Sequence, residues 1–314
     1  MHLSGYLRTI EKHQRFLIPV KETMTSRSRL SRRLAAVASC AAVIAVCLAP
    51  QAHANLLGQL DYVALGDSYS AASGVFPPDL TAPVECARSI LNYPHVIANQ
   101  IGADLNDVTC GAAETSHYFE SQYPGVAPQL DAVTSSARLI TMTIGGNDSG
   151  VFINAIVQCG SAGIVALGQG SPCKDQYGSS FEDTIRDVTY PSLVTTLKAV
   201  KSKAPKAKIG ILSYPWIMPA AGGCFPQMPV ADGDVPYLRG IQATLNDAVR
   251  RAASAAKVTY VDLNVVSEGH DACKPIGTRW VEPVVAGTNP VIVHPNALGE
   301  SEMAAETISR LHLG

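Results

Sequence analysis

Three polar residues far apart in the chain are of the types that together could carry out acyl transfer. Ser68 follows Gly66-Asp67, Asn147 sits in the run Gly145-Gly146-Asn147-Asp148, and His294 stands just before Pro295-Asn296. A serine hydroxyl becomes a useful nucleophile only when a base removes its proton, and acyl transfer also needs donors aimed at the oxyanion that develops. His294 supplies a base and Asn147 a side-chain donor. Each residue alone has a plainer reading. Gly-Asp-Ser occurs in ordinary turns, an asparagine after glycines caps turns, and a histidine ahead of a helix is commonly a surface or capping residue. Their order and their places after strand-like runs argue for one constellation.

The elements that would position them alternate along the chain. Short apolar runs at 62–65, 139–144, 208–213 and 258–263, with a weaker one at 104–109, are expected to be strands. Helical periodicity appears at 93–101, 181–202, 236–256 and 297–311. Strands alternating with helices imply an α/β fold with a parallel sheet covered on both faces. Ser68, Cys110-Gly111 and Asn147 each follow a strand, and ligands bind at the carboxyl ends of such strands, so the three loops are expected to converge. Residues 151–180, with Gly160, Gly163, Gly168 and Gly170, are expected to be a loop-rich rim, and 214–235 a second Pro- and Gly-rich excursion.

Residues 1–54 are expected to be an export signal. Arg27, Arg29, Arg32 and Arg33 precede an apolar run at 34–49, and Ala52-His53-Ala54 offers small residues for cleavage after Ala54, with translation starting at Met1 or at Met24. The apolar run is shorter than a membrane span and no later segment is expected to cross a bilayer. Eight of the 24 basic and two of the 26 acidic residues lie in 1–54, which leaves 16 against 24 and a net charge of −8 for 55–314. So acidic a chain with no basic stripe is a poor nucleic-acid binder. Six cysteines remain beyond the signal: Cys86, Cys110, Cys159, Cys173, Cys224 and Cys273. An even number in an oxidising compartment implies three disulfides, in any of 15 pairings. None of them has the spacing of a metal site, and neither metal nor cofactor is expected.

The blocks Gly66-Asp67-Ser68-Tyr69-Ser70, Cys110-Gly111-Ala112-Ala113, Gly145-Gly146-Asn147-Asp148 and His294-Pro295-Asn296-Ala297-Leu298-Gly299 resemble those of secreted actinobacterial SGNH (GDSL) hydrolases over nearly all of 55–314. The resemblance implies a three-layer α/β/α sandwich with a flavodoxin-like sheet and metal-free hydrolysis of acyl esters. It also implies an oxyanion hole from the Ser68 N–H, a backbone N–H of the second block and the Asn147 side chain. Disulfides between sequence neighbours follow from it too: Cys86 with Cys110, Cys159 with Cys173, and Cys224 with Cys273.

Two departures bear on the site. Gly111 directly follows Cys110 and Ala112 occupies the family's usual glycine position, so either could give the oxyanion N–H; the expectation here is Gly111. The family often has Asp three residues before the histidine, where this chain has Val291. The Val291 carbonyl is therefore expected to hold the imidazole, unless Asp271 or Glu282 folds back as a triad acid. His270, His95 and His117 are read as structural or surface residues. The sequence thus predicts one secreted, monomeric serine ester hydrolase domain, an esterase or lipase, over 55–314. Ser68 is its nucleophile and His294 its base, and its partner is a small-molecule or lipid ester. The rival is a non-catalytic cell-surface or glycan-binding domain on the same fold, which intact Ser68, Asn147 and His294 argue against. Within enzymes, a phospholipase or polysaccharide deacetylase is the second choice.

Overall fold

In the computed structural model, which describes residues 60–314, the two innermost strands are apolar on both sides. Strand β1 (Asp61–Gly66) is buried from Tyr62 onward, and β3 (Leu139–Thr143) is buried throughout. Such runs suit a parallel sheet with a layer on each face. Strand β2 (Asp104–Asp107) is exposed at alternate positions and lies at one edge. Strands β4 (Lys208–Leu212) and β5 (Thr259–Val261) complete the order β2-β1-β3-β4-β5, with every pairing parallel.

Helices α1 (Ser68–Ala71), α2 (Tyr93–Ile101), α3 (Val151–Val165), α4 (Pro172–Tyr177), α5 (Ser180–Thr184), α6 (Tyr190–Lys203), α7 (Val235–Ala256) and α8 (Ala297–Leu311) fill the connections. Helix α7 buries Leu238, Ile241, Leu245, Val249 and Ala252, a stripe at spacings of three and four, and packs beside α6. Helices α2 and α8 pack together, and Leu311 of α8 lies 3.0 Å from where a Cβ on Gly210 would stand. The result is a three-layer α/β/α sandwich. Its strand order reverses between β1 and β3, and ligands bind in the crevice at such a reversal. The export segment expected in 1–54 lies outside the described residues.

One expectation is corrected. Residues 151–165 form helix α3, not a loop. Gly163 is there because the chain at 229–231 presses on the helix, and a Cβ would come within 2.3 Å of the Pro229 carbonyl. The stretch Asp148–Val165 is also apolar and long enough, by composition, to pass as a membrane span. Its helix has only 15 residues, about 22 Å at 1.5 Å per residue, and follows a break at Ser149 and Gly150, both at positive φ.

Candidate active site

The chain leaves β1 through a turn that requires glycine. Gly66 has φ +121°, and a Cβ on it would sit 2.4 Å from the Thr143 carbonyl and 2.6 Å from Ser70 Oγ. Gln129 Oε1 accepts from the Gly66 N–H at 2.7 Å, and Gln129 Nε2 donates to its carbonyl at 3.0 Å, so a side chain pairs the strand end as another strand would. Asp67 then caps α1: its Oδ1 accepts from the Tyr69 N–H at 3.0 Å and the Thr143 hydroxyl at 2.7 Å, and Oδ2 from the Tyr214 hydroxyl at 2.5 Å. Burial pushes the Asp67 carboxyl up to about 6 against the pull of these donors. Ser68, the first residue of α1, keeps an N–H with no partner among the described residues, as first-turn amides do.

His294 meets Ser68 from the far end of the chain, with Nε2 2.7 Å from Ser68 Oγ. Its Nδ1 lies 2.8 Å from the carbonyl of Ile292, not of Val291 as expected. The reason is the backbone of Val293, a β-branched residue held at φ +53°, which turns the carbonyl two residues before the histidine toward the ring. Three hydrogen bonds hold that conformation. Val293 N–H donates to the Glu282 carbonyl at 3.0 Å, Glu282 N–H donates to the His294 carbonyl at 2.9 Å, and the Tyr69 hydroxyl donates to the Val293 carbonyl at 2.5 Å. A carbonyl can only accept, so Nδ1 carries the proton and Nε2 is free to take one from Ser68. Burial lowers the His294 pKa below its ordinary 6.5, partly opposed by the Ile292 bond, which keeps the ring neutral near pH 7.

Neither acid considered for a triad orients the ring. Glu282 accepts from Arg279 Nη2 at 2.6 Å, the Thr288 N–H at 2.7 Å and Asn296 Nδ2 at 2.7 Å. Burial would raise its pKa, but these donors outweigh it and hold the carboxyl below its usual range. Asp271 accepts from the Cys273 N–H at 3.0 Å. His270 stacks on Trp280 at 4.6 Å with Nδ1 2.6 Å from the Thr278 carbonyl, while His95 sits at its helix cap against Asn92, and His117 closes a capping box with Glu114.

The second block corrects another expectation. The Gly111 N–H is spent on the Cys86 carbonyl at 2.8 Å, and the Gly111 carbonyl accepts from Gln122 Nε2 at 2.6 Å. The loop closes here through the Cys86–Cys110 disulfide, which brings the two segments together and consumes that amide. Ala112, exposed and at φ +60°, has an N–H with no partner among the described residues, so it is the donor this block offers. Asn147 is half-buried; Nδ2 donates one hydrogen to the Ala113 carbonyl at 3.0 Å and has a second to give. Gly146 N–H donates to Tyr214 Oη at 2.9 Å, and Asp148, its carboxyl pushed up to about 6 by burial, accepts from Thr115 N–H and Oγ1 at 2.9 and 2.7 Å. The second and third blocks are thereby tied to each other. The other disulfides join Cys159 to Cys173 and Cys224 to Cys273, the neighbour pairing that the resemblance implies, so all six cysteines of 60–314 are bonded.

Sequence reasoning missed the residues that hold these parts in place. Tyr69, Thr143, Tyr214 and Gln129 act through contacts between distant segments. Asn289 is another: it donates to the Ser73 and Pro295 carbonyls, both at 3.1 Å, and accepts from the Val291 N–H at 2.8 Å. Only Tyr69 carried a signal, its place beside Ser68 in the first block.

The pattern of the GDSL-like lipase/acylhydrolase family matches residues 64–301. The chain is 55% identical to "Lipase 2" of Streptomyces coelicolor over 289 residues, 91% of this chain and 98% of that protein. Among solved structures it is similar to the extracellular lipase of Streptomyces rimosus (27% identity, TM-score 0.68) and to phospholipase A1 of Streptomyces albidoflavus NA297 (26%, TM-score 0.67), each over 80% of this chain and 99% of the other. With this match spanning all four motif blocks, the chain belongs to the GDSL-like lipase/acylhydrolase family and is a carboxylic ester hydrolase.

Proposed function

We propose that Ser68 forms an acyl-enzyme with the substrate and that His294 serves as base and then acid in both halves of the reaction. The observation that carries this reading is the 2.7 Å contact between Ser68 Oγ and His294 Nε2, with Nδ1 fixed by the Ile292 carbonyl. His294 Nε2 takes the Ser68 proton as Oγ attacks the ester carbonyl. The oxyanion accepts from the Ser68 and Ala112 N–H groups and from Asn147 Nδ2. The alcohol leaves with the proton held on Nε2, and water, activated by the same nitrogen, releases the acid. The imidazolium is steadied by a neutral carbonyl in place of a carboxylate, so the unit is a dyad.

The substrates are acylglycerols and simple acyl esters in the first place, with phospholipids second. The protein works outside the cell as a single chain over residues 55–314, after loss of the segment before Asn55. Three disulfides and the extracellular lipase among its relatives support that location. The test is ester hydrolysis by purified variants. Ser68→Ala should abolish turnover with the fold retained, and Asn147→Ala should lower kcat by about 10²–10³. Near-normal turnover by Ser68→Ala would refute the reading.

A further inference from the structure

Tyr214, two residues past the end of β4, reaches from a third segment to both the turn that carries Ser68 and the loop that carries Asn147. Its hydroxyl donates to Asp67 Oδ2 at 2.5 Å and accepts from the Gly146 N–H at 2.9 Å. An amide N–H can only donate, so the phenol proton is left for Asp67 and the direction of both bonds is fixed. Asp67 immediately precedes Ser68, and Gly146 immediately precedes Asn147. One oxygen atom thus joins the residue before the nucleophile to the residue before the amide donor.

The other bonds of these segments leave that joint to Tyr214. Thr143 holds Asp67 through its hydroxyl at 2.7 Å and its carbonyl at 2.9 Å, but it belongs to the end of β3. Gly145, at φ +106°, and Gly146 follow it before Asn147 and have no side chains with which to hold the loop. The Gly146 carbonyl accepts from the Phe152 N–H at 3.2 Å, and Asn147 Nδ2 donates to the Ala113 carbonyl at 3.0 Å, which ties the loop to α3 and to the second block. Neither bond reaches the Ser68 turn. Tyr214 is itself rigidly held: its N–H donates to Asn246 Oδ1 at 3.0 Å, its carbonyl accepts from Asn246 Nδ2 at 2.9 Å and Gln242 Nε2 at 3.2 Å, both on α7, and its buried ring meets Tyr69 edge-on at 5.1 Å. The loop is pressed onto this phenol, since a Cβ on Gly146 would stand 3.0 Å from Tyr214 Oη and 3.1 Å from Cζ.

We infer that Tyr214 is a positioning residue for the reaction: its hydroxyl sets where the Gly145–Asp148 loop stands relative to Ser68, and so brings Asn147 Nδ2 to the oxyanion. The inference rests on the reading of Asn147 as an oxyanion donor. Such a donor acts on the charge that develops in the transition state, so misplacing it lowers kcat and leaves substrate binding alone.

The experiment measures kcat and KM for p-nitrophenyl butyrate in wild type, Tyr214→Phe, Asn147→Ala and the double variant. Tyr214→Phe keeps the ring against Tyr69 and removes only the hydroxyl. Per folded molecule it should lower kcat by about tenfold or more with KM within about twofold of wild type. In the Asn147→Ala background the same change should cost less than about threefold, because the donor that Tyr214 places is already gone. A kcat within about threefold of wild type in Tyr214→Phe, or an equal loss with and without Asn147, would overturn the positioning role and leave the Asn147 reading standing. Normal kcat in Asn147→Ala alone would overturn both. If Tyr214→Phe is not recovered folded, Gly146→Ala, which keeps the hydroxyl and pushes the loop off it, is measured in the same two backgrounds with the same expectations and decides alone.

Discussion

The hydroxyl of Tyr69 donates to the carbonyl of Val293 at 2.5 Å, so the residue after Ser68 is tied to the residue before His294. The bond spans 224 positions of sequence and closes directly behind the Ser68–His294 contact. Together with the Asn289 bonds to the Ser73 and Pro295 carbonyls, it fixes how far the base stands from the hydroxyl.

Tyr69→Phe therefore removes a positioning bond without changing the ring. The Val293 carbonyl is left unpaired in a buried place, which should cost about 1–3 kcal/mol of stability. Turnover should fall by roughly tenfold or more with KM little changed, because small misplacements of a reacting group are expensive. Measuring kcat, KM and the melting temperature together separates this from a purely structural role, which would lower stability and leave kcat per folded molecule alone.

The pH dependence has a definite sign. His294 must be neutral to act as base, and burial lowers its pKa below 6.5, so kcat/KM should rise with pH and be half-maximal below 6.5. Stability behaves differently. Asp67 and Asp148 have carboxyls raised to about 6, so between about 6 and their usual 3.8 the folded state binds protons that the unfolded state does not, and acidification stabilises the fold through them. His294, with its lowered pKa, works the other way. Activity should be lost reversibly as the pH falls below the ordinary histidine range, with the circular dichroism of the folded state retained; loss of both together would contradict this assignment.

Glu282→Gln tests the dyad. Its carboxylate pairs with Arg279, and both side chains are almost fully buried, so removing the charge should destabilise by about 3–5 kcal/mol. Per folded molecule, kcat should stay within a few-fold of wild type, since Nδ1 of His294 leans on Ile292. A fall approaching ~10⁴, the size seen when a triad's acid is neutralised, would mean that Glu282 orients the base after all.

Much of this arrangement was legible because its signals are local. The strands betray themselves by unbroken apolar runs, and Ser68, Asn147 and His294 stand at strand ends or before a capped helix. What escaped depends on backbone geometry and on distant partners. Val293 gave no hint of a left-handed conformation, since valine disfavours it, and that single φ moves the orienting carbonyl from Val291 to Ile292. Gly111 looked the natural amide donor until the Cys86 carbonyl took its hydrogen. The glycines of α3 resembled loop residues because nothing nearby in sequence shows that residues 229–231 press on the helix.

The most direct test of the central claim is to treat the folded protein with a fluorophosphonate ester, digest it and locate the adduct by mass spectrometry. One stoichiometric phosphonyl group is expected on Ser68, absent from Ser68→Ala and strongly slowed in His294→Ala. Labelling at another residue, or undiminished labelling of Ser68→Ala, would contradict it.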